Sequence, residues 1–199
     1  MARIFLLSPA LCSGPRAQLI LGERARSDIA RRLRTPAGVP IGEIFAFVSG
    51  LYFRGKLAYA RAFAAPPPRA PGLLVITPGQ GLRPPEHRLT ARQLRAIGAV
   101  RVDVRELRYR RPLRRDLRRL ATALDPDCEL VLLGSIATGK YLDVLEPILG
   151  PRLRVPADFV GLGDMSRGAL MLRAVAAGRE LTYIAATELA TRAPGSGRR

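Results

Sequence analysis

Short apolar runs alternate along this chain with longer stretches in which apolar residues recur every three or four positions. The runs are RIFLL at 3–7, LLVIT at 73–77 and ELVLL at 129–133. Each gives way at once to Ser, Pro or Gly, as buried strands do. RLRVPADFVG, 152–161, is a further strand-like run. In VRVDVREL, 100–107, Val100, Val102 and Val104 alternate with charge, which predicts a strand with one face buried. Helical spacing covers 16–34, and 43–63 with a turn near Gly50 or Gly55. The stretch 90–98 also reads as a helix, with Thr90 as N-cap and Gly98 as C-cap. Further helices are predicted over 111–124, 141–150 and 166–178. In the first of these, Leu113, Leu117, Leu120 and Leu124 share a face. AAPPPRAPG, 64–72, is a loop, because proline excludes helix and central strand. ELTYIAATEL, 180–189, fits either helix or strand.

Strands and helices alternate over most of the chain. The expected fold is therefore α/β, a single mixed-sheet domain with flanking helices over 1–191, followed by a flexible basic tail at 192–199. The length of 199 residues and a hydrophobic content of 48% suffice for one well-cored domain. No apolar stretch approaches the ~20 residues of a membrane span, so no membrane contact is expected. The opening MARIFLLSPALCSG has the basic start, short apolar run and Cys of a lipoprotein signal. Ser8 and Pro9 interrupt the run, and it reads as a first buried strand.

The formal net charge of +17 calls for an anionic partner, nucleic acid first. Lys56 and Lys140 are the only lysines among 33 basic residues. Arginine enrichment beside abundant Ala, Gly and Pro is also what a GC-rich codon bias produces, which discounts the charge. Cys12 and Cys128 lie far apart and His87 is the only histidine. A disulfide framework, a zinc site and a histidine triad are thus disfavoured, no metal or other cofactor is called for, and a reducing cytoplasm fits.

Four stretches carry candidate chemistry. GSIATGKY, 134–141, nearly matches the phosphate-binding loop G-x-x-x-x-G-K-[ST] between a strand and a helix. Tyr141 stands where a magnesium-holding hydroxyl belongs, so a magnesium-dependent NTPase is disfavoured. A helix N-terminus with Lys140 beside it still suits an anion. GLGDMSRG, 161–168, opens a helix with Asp164 or Ser166 as cap and Arg167 in its first turn. GQGLRPPEHR, 79–88, gathers Arg83, Glu86, His87 and Arg88 after a strand. In the arginine-rich stretch 101–119, Arg111, Arg114, Arg115 and Arg118 fall on one side of a helix, which suits salt-sensitive phosphate-backbone contact. TPAGVPIGE, 35–43, is similar to the hairpin of a helix-hairpin-helix motif. Its Gly38–Gly42 spacing is wider, and Pro40 removes one amide donor.

Taken in order, these segments resemble the YaaA family of peroxide-stress proteins. The matching residues are Ser8, Pro9 and Ala10; Tyr52 and Gly55; Gly81, Leu82, Arg83 and Pro84; Ala137 and Tyr141; and Met165, Ser166 and Arg167. Leu11 departs from the family's Lys after S-P-A, and Glu86 stands where the family has an acid after R-P-x. The region 11–50 is more compact than the family's helix-hairpin-helix region. The resemblance implies a cantaloupe-like α/β fold, a positively charged cleft, DNA binding, and a part in limiting free iron under peroxide. It also makes GSIATGKY a strand-to-helix turn lining a pocket. The first expectation is a cytoplasmic DNA-binding protein of the oxidative-stress response. The alternative is an enzyme on a nucleotide, nucleoside or base. Its pocket would gather Ser8, Arg83, Ser135, Lys140, Tyr141, Ser166 and Arg167 as anion and ligand contacts, with Glu86 or Asp164 as base.

Overall fold

The computed structural model of the chain describes residues 1–136 and 138–189. In chain order the helices are α1 (Pro15–Leu21), α2 (Asp28–Leu33), α3 (Ile41–Ser49), α4 (Leu51–Phe63), α5 (Ala91–Gly98), α6 (Leu107–Ala123), α7 (Gly139–Leu149) and α8 (Asp164–Ala176). Six strands form one mixed sheet. Four are parallel: β1 (Arg3–Leu7), β3 (Leu73–Thr77), β6 (Glu129–Leu133) and β7 (Leu153–Pro156). The short strands β4 (Gly81–Arg83) and β8 (Tyr183–Ala185) close the two edges antiparallel, giving the order β4-β3-β1-β6-β7-β8. A separate two-strand ladder joins β2 (Val39–Pro40) to β5 (Arg88–Leu89).

The continuous apolar runs have a direct cause. A parallel sheet is covered on both faces, so both faces of its strands are apolar, and the charged Arg3, Glu129 and Arg154 pair with one another at one end of the sheet. In β1, Phe5 and Leu7 enter one core with residues of α1 to α5 and α8. Ile4 and Leu6 enter the other, beneath α6 and α7. The expected tail at 192–199 and the matched Ala137 lie outside the described residues.

Several expectations change. The helix predicted over 16–34 is two helices, because Gly22 leaves α1 in an extended conformation and the Ser27 side chain caps α2. Gly50, at φ +59°, makes the break between α3 and α4. Gly55 is helical and has a different task. A Cβ on it would stand 2.7 Å from the Gly168 carbonyl oxygen, and one on Gly168 would stand 2.9 Å from the Tyr52 Cα. The paired glycines let α4 and α8 cross at backbone contact. Thr90 caps α5 through a full capping box, whereas Gly98 is the last helical residue and Ala99 is the C-cap.

The strand predicted over 100–107 is absent. Val100, Val102 and Val104 are half-buried against the α6–α7 core from an irregular segment, and α6 begins at Leu107. Neither Asp164 nor Ser166 caps α8; the cap is Gly163, with no side-chain bond. The amides of the suggested hairpin are consumed internally. Gly38 N–H donates to Thr35 O and Gly42 N–H to Pro85 O. Neither is open to a phosphate, which removes the helix-hairpin-helix reading.

Candidate functional site

The sheet order determines where a cavity can open. From β1 the chain leaves toward α1–α4 on one face and returns as β3. From β6 it leaves to α7 on the other face and returns as β7, on the opposite side. Between β1 and β6 the departing loops diverge, and the crevice at the strands' carboxyl ends is the usual ligand position in such sheets. A cavity of about 520 Å³ lies there. Ser8 after β1, Pro78 after β3 and Ser135 after β6 supply its floor. Lys140 and Tyr141 from the first turn of α7, and Asp164 from that of α8, supply its wall.

Five of the predicted pocket residues are thereby brought together: Ser8, Ser135, Lys140, Tyr141 and Asp164. The others are not. Glu86 is 70% exposed and faces Arg61 at 3.5 Å, outside the cavity, so it is no base for a ligand held there. Arg83 sits at the β4 edge, 3.4 Å from Asp116, whose carboxylate also accepts from Leu82 N–H. Ser166 is exposed and lies off the cavity wall. Arg167 is buried behind it. Its Nε and Nη2 donate to the Phe159 carbonyl at 3.3 and 3.0 Å, and its Nη1 lies 3.5 Å from Asp164. It braces α8 and positions Asp164 rather than meeting a ligand.

The residue that pattern reading missed is Lys56. It is 0% exposed, and its Nζ lies 2.7 Å from the Ser8 carbonyl oxygen and 2.9 Å from Ser8 Oγ. The Nζ also stands 4.3 Å from the Tyr52 ring centroid and 4.9 Å from that of Phe53. Burial pulls its pKa down to about 7; the Asp164 carboxylate opposes the fall and Lys140 adds to it. The signal was available. Tyr52, Phe53, Lys56, Tyr59 and Ala60 form one apolar stripe at helical spacing with a lone lysine inside it.

Tyr52 entered only through the resemblance, and it too lines the cavity, at 5% exposure. Burial pushes its phenol up to about 12, and Asp164 adds to the rise. The hydroxyl makes no hydrogen bond of proper length and angle, though Ser8 and Arg167 stand near enough to oppose that rise. Burial likewise raises Tyr141. Cys12, on the same wall, is pushed up to about 12 by burial and is held as an inert thiol. Among the described residues no three His, Cys, Asp or Glu side chains gather as a metal-binding group.

The arginine helix forms, but it starts four residues before the predicted 111, and Leu124 is its extended C-cap and not part of the helix. Leu113 and Leu117 face inward from α6, and Arg110, Arg111, Arg114, Arg115, Arg118 and Arg119 surround a shallow surface depression. Arg115 meets Asp116 at 2.8 Å; the other five have no carboxylate partner among the described residues. A more open groove connects this face to the cavity. It shares Pro78, Ile97 and Val100 with the cavity wall, and Arg111 and Arg115 with the arginine face. No helix among the described residues is long and apolar enough to cross a membrane. No protein-family model, no curated protein and no solved structure matches the chain.

Proposed function

We propose that this protein is a YaaA-like nucleic-acid-binding protein that grips phosphates along the outer face of α6. The observation that carries this reading is the arginine row, five of whose six members have no carboxylate partner among the described residues. Like charges at helical neighbour spacing destabilise a helix by a few tenths of a kcal/mol per pair. A polyanion relieves that repulsion and releases its own counterions, so the row suits phosphates better than it suits water. DNA in the cytoplasm is the intended partner, and the YaaA-type fold and the role under peroxide belong to the same proposal. Cells lacking the protein should lose viability in hydrogen peroxide; unchanged survival removes that role.

Labelled duplex, junction and single-stranded DNA, titrated across a salt series, test the binding. Affinity should fall steeply with salt. Changing Arg111, Arg114, Arg115 and Arg118 together to Ser should flatten the log–log slope by about 3 to 4. Binding that is absent, or indifferent to salt, overturns the reading.

A second reading, an enzyme on a nucleotide, nucleoside or base, is favoured by the convergence of Ser8, Ser135, Lys140, Tyr141 and Asp164 on one cavity. Lys140 suits a phosphate there, while the start of α7 already has the Asp143 carboxylate against Gly139. Asp164, rather than Glu86, is the carboxylate in position. The reactivity of Ser8 is its test.

A further inference from the structure

We propose that Ser8 is a nucleophile toward phosphorus, activated by Lys56, and that the cavity takes a phosphate ester. This rests on the second reading above, that the cavity is a substrate site, and not on nucleic-acid binding along α6.

The geometry is that of a serine with its own base. Ser8 lies at the carboxyl end of the central strand and lines the cavity, although it is only 3% exposed. Lys56 approaches from the protein side, 2.9 Å from Ser8 Oγ, and is sealed from water. A neutral amine there donates one N–H to the Ser8 carbonyl oxygen, 2.7 Å away, and accepts the Ser8 O–H with its lone pair. The carbonyl bond fixes the amine, so the lone pair is aimed at the hydroxyl before any substrate arrives. Burial is what keeps this amine neutral near neutral pH. The charged and titratable groups around it are Asp164 and Arg167 on α8, Lys140 and Tyr141 on α7, and Tyr52 on α4.

The substrate class follows from what faces Ser8. Lys140 offers positive charge beside the Asp164 carboxylate, and Tyr52 offers a buried hydroxyl with no well-formed hydrogen bond. These suit the non-bridging oxygens of a phosphate ester, whose negative charge grows toward the transition state. In the reaction the Ser8 Oγ–P bond forms as the P–O bond to the leaving alcohol breaks. The Ser8 proton passes to Lys56 behind it, while the leaving oxygen, on the far side of phosphorus from Oγ, takes a proton from cavity water. The hydroxide so formed attacks phosphorus, or takes the proton of an acceptor hydroxyl that does, the Oγ–P bond breaks, and Lys56 returns its proton to Ser8 Oγ.

The test uses the whole chain and diisopropyl fluorophosphate. Phosphorylation of Ser8 breaks the P–F bond, releases fluoride and leaves a mass label on the peptide. The expected result is one label at Ser8, absent in Ser8→Ala, with a rate that rises with pH to a plateau and a midpoint near the Lys56 value of about 7. Lys56→Met, which keeps the volume, should slow labelling at least a hundredfold. If that variant does not fold, the wild-type pH profile decides alone. No label at Ser8 in folded protein, or a rate that climbs with hydroxide through pH 9 without a plateau, overturns the proposal. So does a folded Lys56→Met protein that labels at the wild-type rate. Labelling of Ser8 in a protein that ignores DNA leaves this proposal standing and removes only the arginine-face reading.

Discussion

Lys56 is held in a position that opposes its charge, and that has a consequence for stability that can be measured. Its folded pKa of about 7 lies below the ordinary 10.5, so between those values the unfolded chain binds a proton that the native chain does not. Below about pH 7 both states are protonated and the cost of burying the ammonium is fully present. As pH rises through the window the cost is relieved, by at most about 1.4 kcal/mol per pH unit. Lys56→Met removes the titration. The wild-type minus variant difference in unfolding free energy should therefore rise from pH 7 to 10. The Met variant should be the more stable by about 1 to 3 kcal/mol at pH 6, as an apolar replacement for a buried charge. Chemical denaturation at a series of pH values gives the curve, and a flat difference would mean that water or a counter-charge reaches the amine. Arg167 teaches a related lesson. Its place in a helix's first turn suggested an anion contact. Its guanidinium instead satisfies the Phe159 carbonyl and steadies Asp164.

At the scale of elements, the crossing of α4 and α8 does most to build the site. It carries Tyr52 and Lys56 on one helix and Asp164 on the other to the same place. The crossing depends on Gly55 and Gly168, where an added methyl would meet backbone and not a movable side chain. Gly55→Ala and Gly168→Ala should each cost about 1 to 3 kcal/mol through overpacking, despite alanine's better helix propensity. Thermal melts check this; a Tm unchanged or raised would mean that the helices separate freely. Gly50 and Gly55 both looked like helix breaks, and only the positive φ of the first and the partner helix against the second tell them apart. Val100, Val102 and Val104 have strand periodicity, but no strand among the described residues pairs with them. They fill the α6–α7 core as single side chains from a loop.

For the whole molecule, the chain's own pattern determined the apolar strands, the helices between them, and hence a sheet covered on both faces. The reason is local. A run of four apolar residues close to Ser, Pro or Gly has few ways to hide its surface, and period-3.6 stripes have one. The arginine face of α6 was legible for the same reason, since its residues share a helix side by spacing alone. Tertiary structure decided which candidates meet. β1 lies at the centre with β3 and β6 on opposite sides, and that order opens the crevice where Ser8, Ser135, Lys140, Tyr141 and Asp164 converge. The same order carries Arg83 to an edge, and Glu86 stays outside the crevice with Arg61. Strand order is set by long-range pairing between segments as much as 126 residues apart, as Arg3 is from Glu129, and no local spacing encodes it. Lys56 joined Ser8 for that reason, across 48 residues of chain, once α4 was packed against the sheet.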